Sequence, residues 1–225
     1  MQAEPDQSQR SGAGPPRRPG ALTFLLVMAL VLGSFGVIGS VVGLVQGTKS
    51  RQETVDEATA GASLFGQIGE RQLRAMREMA ADTYDAIEPY RPWNLALSAL
   101  NLALSALLIA GAALAFKGRE RGRSALAWTA AAHLLFEPLR AALAVVIAGA
   151  QNEVISEHMP AIQAAASDTA PPLLGPQPDE IVGGAAKVGT AVGIGVSVAL
   201  ACAMLGFYVW MTLYLRGERA RSCFR

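Results

Sequence analysis

Three side chains within one apolar stretch could do chemistry together: His133, Glu137 and Arg140, spaced i, i+4 and i+7, with Pro138 between the two charges. On a helix this spacing gathers them on one face. An imidazole next to a carboxylate is the pairing of a proton relay; a carboxylate one turn from a guanidinium is the pairing of an ion bridge. The surrounding residues, Ala125 to Ala150, carry no other charge, so the cluster falls near the middle of a membrane span. A charge at that depth costs ~2.5 to 3.5 kcal/mol on insertion scales, so Glu137 and Arg140 are expected to face the bundle and neutralise each other. Pro138 frees a carbonyl near Leu134 for a polar side chain or a water. A buried pair that fixes helix packing is the weightier reading. A proton or ion path past His133 and Glu137 is the alternative, and mutual pairing between copies is the third.

A second polar pattern precedes it. The heptapeptide NLALSAL occurs twice in succession, from Asn94 and from Asn101, and puts Asn94, Ser98, Asn101 and Ser105 on one helical face. Such a stripe serves as interhelical hydrogen-bond glue far more often than as the lining of a water path. Small residues recur at four-residue spacing in the first apolar run (Gly39, Gly43, Gly47) and in the last (Gly189, Gly193, Ser197, Ala201), with Gly36 and Ser40 as an additional pair. They predict close backbone approach, the first and last spans packing on each other or on a partner.

Other chemistries have little support. Glu153, Glu157 and His158 lack the E-x-x-H spacing of a metal helix, and a solvated helix face explains them better. There is no G-x-S-x-G, no phosphate-cradling glycine loop and no pair of aspartates within a span. Arg17-Arg18 is followed by Pro19 and Gly20, unlike a twin-arginine signal, and Cys223 stands too close to the end for a prenylation box. A net charge of +1 gives no reason for nucleic acid to bind, and two cysteines make no disulfide framework. The expectation is a protein that is not an enzyme and holds no cofactor or metal.

The elements that must position these residues are spans. Of 225 residues, 52% are hydrophobic and 16% charged, against about 25% charged in a soluble domain. The apolar residues come in runs, not at a soluble helix's period. Four runs reach the ~20 residues a helix needs to cross hydrocarbon: 21–46, 94–116, 125–150 and 188–215. The fold expected is therefore all-α, a four-helix transmembrane bundle with extracytoplasmic helical extensions and a disordered N-terminal tail over 1–20. The first run is too long for a signal-peptide core.

Between the first two runs, 47–93 reads as helical. Ser50 and Glu53 form a capping box, and Leu73, Met76, Ala80, Tyr84 and Ile87 line a face opposite Arg71, Arg74, Glu78, Asp82 and Asp85. Pro89 and Pro92 are expected to stop that helix, with Tyr90 and Trp93 at the membrane surface. Residues 151–187 read as a helical extension to about Ala166 followed by a proline-rich loop, with Asp179 placed to cap the fourth span. Residues 117–124 form a short loop.

Orientation follows from the basic residues. The N-terminal tail (Arg10, Arg17, Arg18), the short loop (Lys117, Arg119, Arg121, Arg123) and the tail 216–225 (Arg216, Arg219, Arg221, Arg225) all lie on one side. Only Glu4, Asp6, Glu120 and Glu218 accompany them, whereas acids outnumber bases on the other side. The positive-inside rule puts both termini in the cytoplasm, and the absence of sequons and of cysteines in the connecting segments leans towards a bacterial inner membrane. Phe207, Tyr208, Trp210 and Tyr214 would form an aromatic belt there. The partners expected are the lipid bilayer and either another protein or a second copy, with no nucleic acid. Four spans with both ends inside serve many unrelated proteins, so topology alone assigns no function.

Overall fold

A computed structural model describes residues 20–63, 69–167 and 179–224, all helices and short connections with no strand among them. The elements are α1 (Gly20–Thr48), α2 (Arg51–Ser63), α3 (Glu70–Ile87), a 3-10 turn (Glu88–Tyr90), α4 (Arg91–Phe116), α5 (Glu120–Ser167), α6 (Asp179–Arg216) and the short α7 (Glu218–Arg221). The expected tail over 1–19 and the proline-rich stretch 168–178 lie outside the described residues. Four helices are long and apolar enough to cross a membrane: α1, α4 as the apolar half of an almost continuous Glu70–Phe116 rod, α5, and α6 over Val198–Arg216. The all-α bundle is as expected, and its apolar exterior is that of a membrane protein.

α4 packs along α1 on one side and α5 on the other, and α5 continues the row to α6. The row closes at one end. There Leu22, Leu25, Leu26 and Ala29 of α1 meet Leu108, Ala112 and Ala115 of α4, Leu126 and Ala130 of α5, and Tyr208, Met211 and Leu215 of α6. Elsewhere large apolar side chains such as Phe35, Ile38, Trp128 and Leu213 stand exposed, the arrangement lipid requires.

The α4–α5 connection is tighter than the eight-residue loop expected. It is Lys117 to Arg119 alone, closed by a Schellman pair in which Gly118 N–H donates to Ala115 O at 2.9 Å and Arg119 N–H to Leu114 O at 3.2 Å. Gly118 takes φ 72°, a left-handed conformation open to glycine at little cost.

Beyond the other end of the apolar runs, α2 and α3 form a helical head on the extension of α5. The capping box is present as read: Ser50 N–H donates to Glu53 Oε2 at 2.7 Å and Glu53 N–H to the Ser50 hydroxyl at 3.3 Å. α3 turns Ala80 inward and half-buries Leu73, Met76, Tyr84 and Ile87, while Arg71, Arg74, Glu78, Asp82 and Asp85 are exposed. Pro89 and Pro92 do not end the rod. Each sits in the first turn of the element that follows it, where a missing N–H is harmless, so the chain passes through one 3-10 turn directly into α4. α5 likewise runs unbroken through Pro138 and Pro160 to Ser167, and α6 begins at Asp179, nine residues before the run that marks the span.

Candidate functional site

α5 buries His133 and Glu137 against its neighbours and leaves Arg140 outside: His133 is 2% exposed and Glu137 6%, whereas the Arg140 side chain is 55% exposed. Glu137 lies between the other two. Its Oε1 is 3.6 Å from His133 Nδ1 and its Oε2 is 3.8 Å from Arg140 Nη1, both longer than a hydrogen bond. The expectation that both charges face the bundle therefore holds for Glu137 and fails for Arg140. Arg140 lies only ~20° round the helix from His133 but ~10 Å further along it, beyond Leu134, the last α5 residue packed on the core cluster that closes the bundle.

His133 is fixed by rings more than by hydrogen bonds. Its imidazole stacks on Tyr208 of α6, centroids 4.5 Å apart and planes 5° from parallel, and meets the edge of Phe136 at 5.9 Å. Both ring nitrogens are buried with no hydrogen-bond partner among the described residues, as is the hydroxyl of Thr212 one turn along α6. Tyr208 is thus a core residue, 2% exposed, and not a belt residue; its interior position follows from the His133 stack, a tertiary contact that composition does not reveal. Trp210 does gather rings, with Phe24 of α1 at 6.1 Å, Phe207 at 6.1 Å and Tyr214 at 6.2 Å.

The polar stripe of α4 faces α1. Asn101 Nδ2 donates to the Ser40 hydroxyl at 2.8 Å and approaches Gly36 O at 3.3 Å. Ser105 is buried against Gly36, Ser98 lies beside Gly43, and Asn94 is half-buried at the start of the seam. The small residues that admit this contact are Gly33, Gly36, Ser40, Gly43 and Gly47, at alternating steps of three and four. Gly39 does not belong to it: a Cβ there would meet nothing within 4 Å. Repeated four-residue steps drift by ~40° each from a straight stripe, whereas alternating threes and fours stay in register with a neighbouring helix. The first span's small face therefore packs on the second span and not on the fourth. The side chains at Gly189, Gly193 and Ser197 lie outside the described residues.

Two arginines that spacing did not single out each cap another helix. Arg91, at the start of α4, donates from Nη2 to Gly47 O and Lys49 O, both at 2.7 Å, and its guanidinium lies 4.7 Å from the Tyr84 ring centroid. It thus satisfies carbonyls left open where α1 ends, where the helix dipole favours a cation. Arg123, buried at the start of α5, donates to Leu215 O at the end of α6 and from Nε to both Glu120 oxygens at 2.9 Å. That guanidinium holds the Glu120 carboxyl below the usual carboxylate range. In the basic tail Ala220 and Phe224 are buried, Phe224 within the core cluster, because the chain after Arg216 folds back on the bundle end.

In the head, Arg51 grips Asp85 through two hydrogen bonds of 2.9 Å, Lys49 pairs with Glu57 at 2.5 Å, and His158 Nε2 is 2.8 Å from Asp82 Oδ2. His158 is thus committed to α3 and not to Glu153 or Glu157. Among the described residues no three metal-ligating side chains gather into a group. No protein-family model, curated protein or solved structure matches the chain.

Proposed function

We propose that this chain is a multi-pass, non-enzymatic membrane protein, an accessory or assembly subunit whose head docks a partner protein, with both termini in the cytoplasm of a bacterium. The observation that carries the reading is the head itself. Helices α2 and α3 form a packed layer, tied to the α5 extension by Ala80 and the Asp82–His158 contact, and they present a charged outer face with no assigned chemistry. A fixed, charged surface loses little entropy on docking, the property of a recognition surface. The distribution of basic residues supports the orientation, with the head on the acid-rich side.

The test is purification of the full chain from its own membrane, alongside a variant reversed at the exposed Arg74 and Arg77. A co-purifying protein that the reversed variant loses, with its fold intact, supports docking through the head; a catch unchanged by reversal overturns it. A second reading, a small transporter or channel component with a path past His133, Glu137 and Arg140, draws on the unpartnered nitrogens of His133. Against it, the α4 stripe spends its polar groups on α1.

A further inference from the structure

Arg140 poses a problem that the chain by itself leaves open. Its side chain is 55% exposed, and Ala144, one turn along on the same face of α5, is exposed as well. Its nearest carboxylate oxygen, at 3.8 Å, is too far for a hydrogen bond, and none of its N–H donors has an acceptor among the described residues. The ends of the apolar run, Ala125 and Ala150, lie ~22 Å and ~15 Å along the helix, farther than an arginine stem reaches, so snorkelling to phosphate headgroups is not open to it. A guanidinium surrounded by hydrocarbon needs an acceptor on whatever covers it.

A second copy of the chain does not supply one. Across the four apolar runs, 21–46, 94–116, 125–150 and 188–215, Glu137 is the sole carboxylate, and in a second copy it would be buried behind that copy's own Arg140. We propose that the Arg140–Ala144 face docks a membrane-spanning helix of a different protein, one carrying an aspartate or glutamate at mid-depth that accepts hydrogen bonds from Arg140. Fork-shaped guanidinium and planar carboxylate match two bonds to two acceptors, and hydrocarbon screens the attraction less than water does. The inference rests on the membrane-subunit reading above and adds the chemistry of the partner.

A photocrosslinking amino acid in place of Ala144, in the full chain in its native membrane, tests it. The expected adduct is with a protein, through an apolar segment containing an acid. Arg140→Lys should keep the adduct, and Glu137→Gln/Arg140→Gln, which removes both charges and strands neither, should lower it about tenfold, the equivalent of losing one charged hydrogen bond. Unfolding of the purified double variant checks that the bundle persists, and if it does not, neutralising the acid of the crosslinked partner segment to its amide, with this chain unaltered, carries the same comparison. An adduct with lipid only, with a second copy, with a segment lacking an acid, or indifferent to the loss of Arg140 overturns the proposal. A partner lost on reversal of Arg74 and Arg77 while the Ala144 adduct is lipid alone sinks this inference and leaves the head-docking reading standing.

Discussion

Asn101 and Ser40 share a hydrogen bond of 2.8 Å between two buried side chains, one on each of two helices that touch through glycine. Close approach and polar contact depend on each other here. Without glycine at 36 and 43 the α1 backbone could not come near enough for Asn101 to reach Ser40, and without that bond the buried amide would keep only its longer contact with Gly36 O.

Two neighbouring glycines should therefore respond oppositely to one methyl. A Cβ at Gly36 would stand 2.1 Å from Ser105 Oγ and 3.1 Å from its Cβ, so Gly36→Ala forces the helices apart and should cost ~1 to 3 kcal/mol. Gly39→Ala meets open space and should be neutral or gain up to ~1 kcal/mol from helix propensity. Thermal unfolding of both variants in the same detergent makes the comparison, and equal losses would disprove the seam.

Arg91 should prove a cap and not a surface charge. Arg91→Leu removes the donors to Gly47 O and Lys49 O and is expected to cost ~1.5 to 3 kcal/mol, the range for hydrogen bonds to a charged group. Hydrogen exchange would show it as faster exchange in the last turn of α1 and the first of α4. Unchanged protection there would mean that the capping contacts contribute nothing.

Acid should loosen the head before the bundle. Arg51 holds the Asp85 carboxyl below its ordinary range, and the Ser50 N–H and hydroxyl do the same for Glu53. A depressed folded-state pKa contributes stability that is present above the unfolded value and is lost as pH falls through the folded one, so the loss begins below about pH 4. Exchange at residues 51–63 should rise in that window and, at neutral pH, in Asp85→Asn. Protection that stays flat in both would show that α2 is held by other contacts.

The charge cluster should respond asymmetrically, because Glu137 is the buried member and Arg140 the exposed one. Arg140→Leu leaves a buried carboxylate with only His133 nearby and should cost ~3 kcal/mol, as breaking a buried pair does. Glu137→Leu removes the buried charge itself and leaves a guanidinium that already stood outside the bundle, so it should cost less than Arg140→Leu. The double variant is expected to recover most of the larger loss, as read by unfolding in detergent. A double variant as unstable as Arg140→Leu would end the structural-pair reading.

What was legible in the sequence was local. The Ser50–Glu53 box and the apolar face of α3 depend on residues three or four apart, and they stand as read. Runs of apolar residues likewise located the spans. The rest depended on partners far along the chain: Arg91 reaches carbonyls more than 40 residues back and Arg123 one 92 residues ahead. Nothing in the spacing around either arginine encodes that. Gly39 was misassigned because a four-residue repeat is only a near match to 3.6, and Arg140 because its exposure is set by its distance along α5 from the closed end of the bundle and not by the face it shares with His133.

His133 separates the structural reading from the proton-path reading most directly, since it is buried with both nitrogens unpaired while its ring lies flat on Tyr208. If the imidazole serves as a flat ring, phenylalanine can replace it. His133→Phe keeps the stack and the edge contact with Phe136, removes two unsatisfied polar atoms, and should leave the unfolding midpoint unchanged or raise stability by ~1 to 3 kcal/mol. His133→Ala, which empties the same volume, should cost ~3 to 5 kcal/mol, as loss of a buried aromatic ring does. A phenylalanine variant that loses more than ~1 kcal/mol would mean that the nitrogens are bonded in the membrane, by water or by a Glu137 carboxyl drawn closer than 3.6 Å. That outcome moves the weight to proton exchange between His133 and Glu137, whereas a stable phenylalanine variant with normal function in cells rules the exchange out.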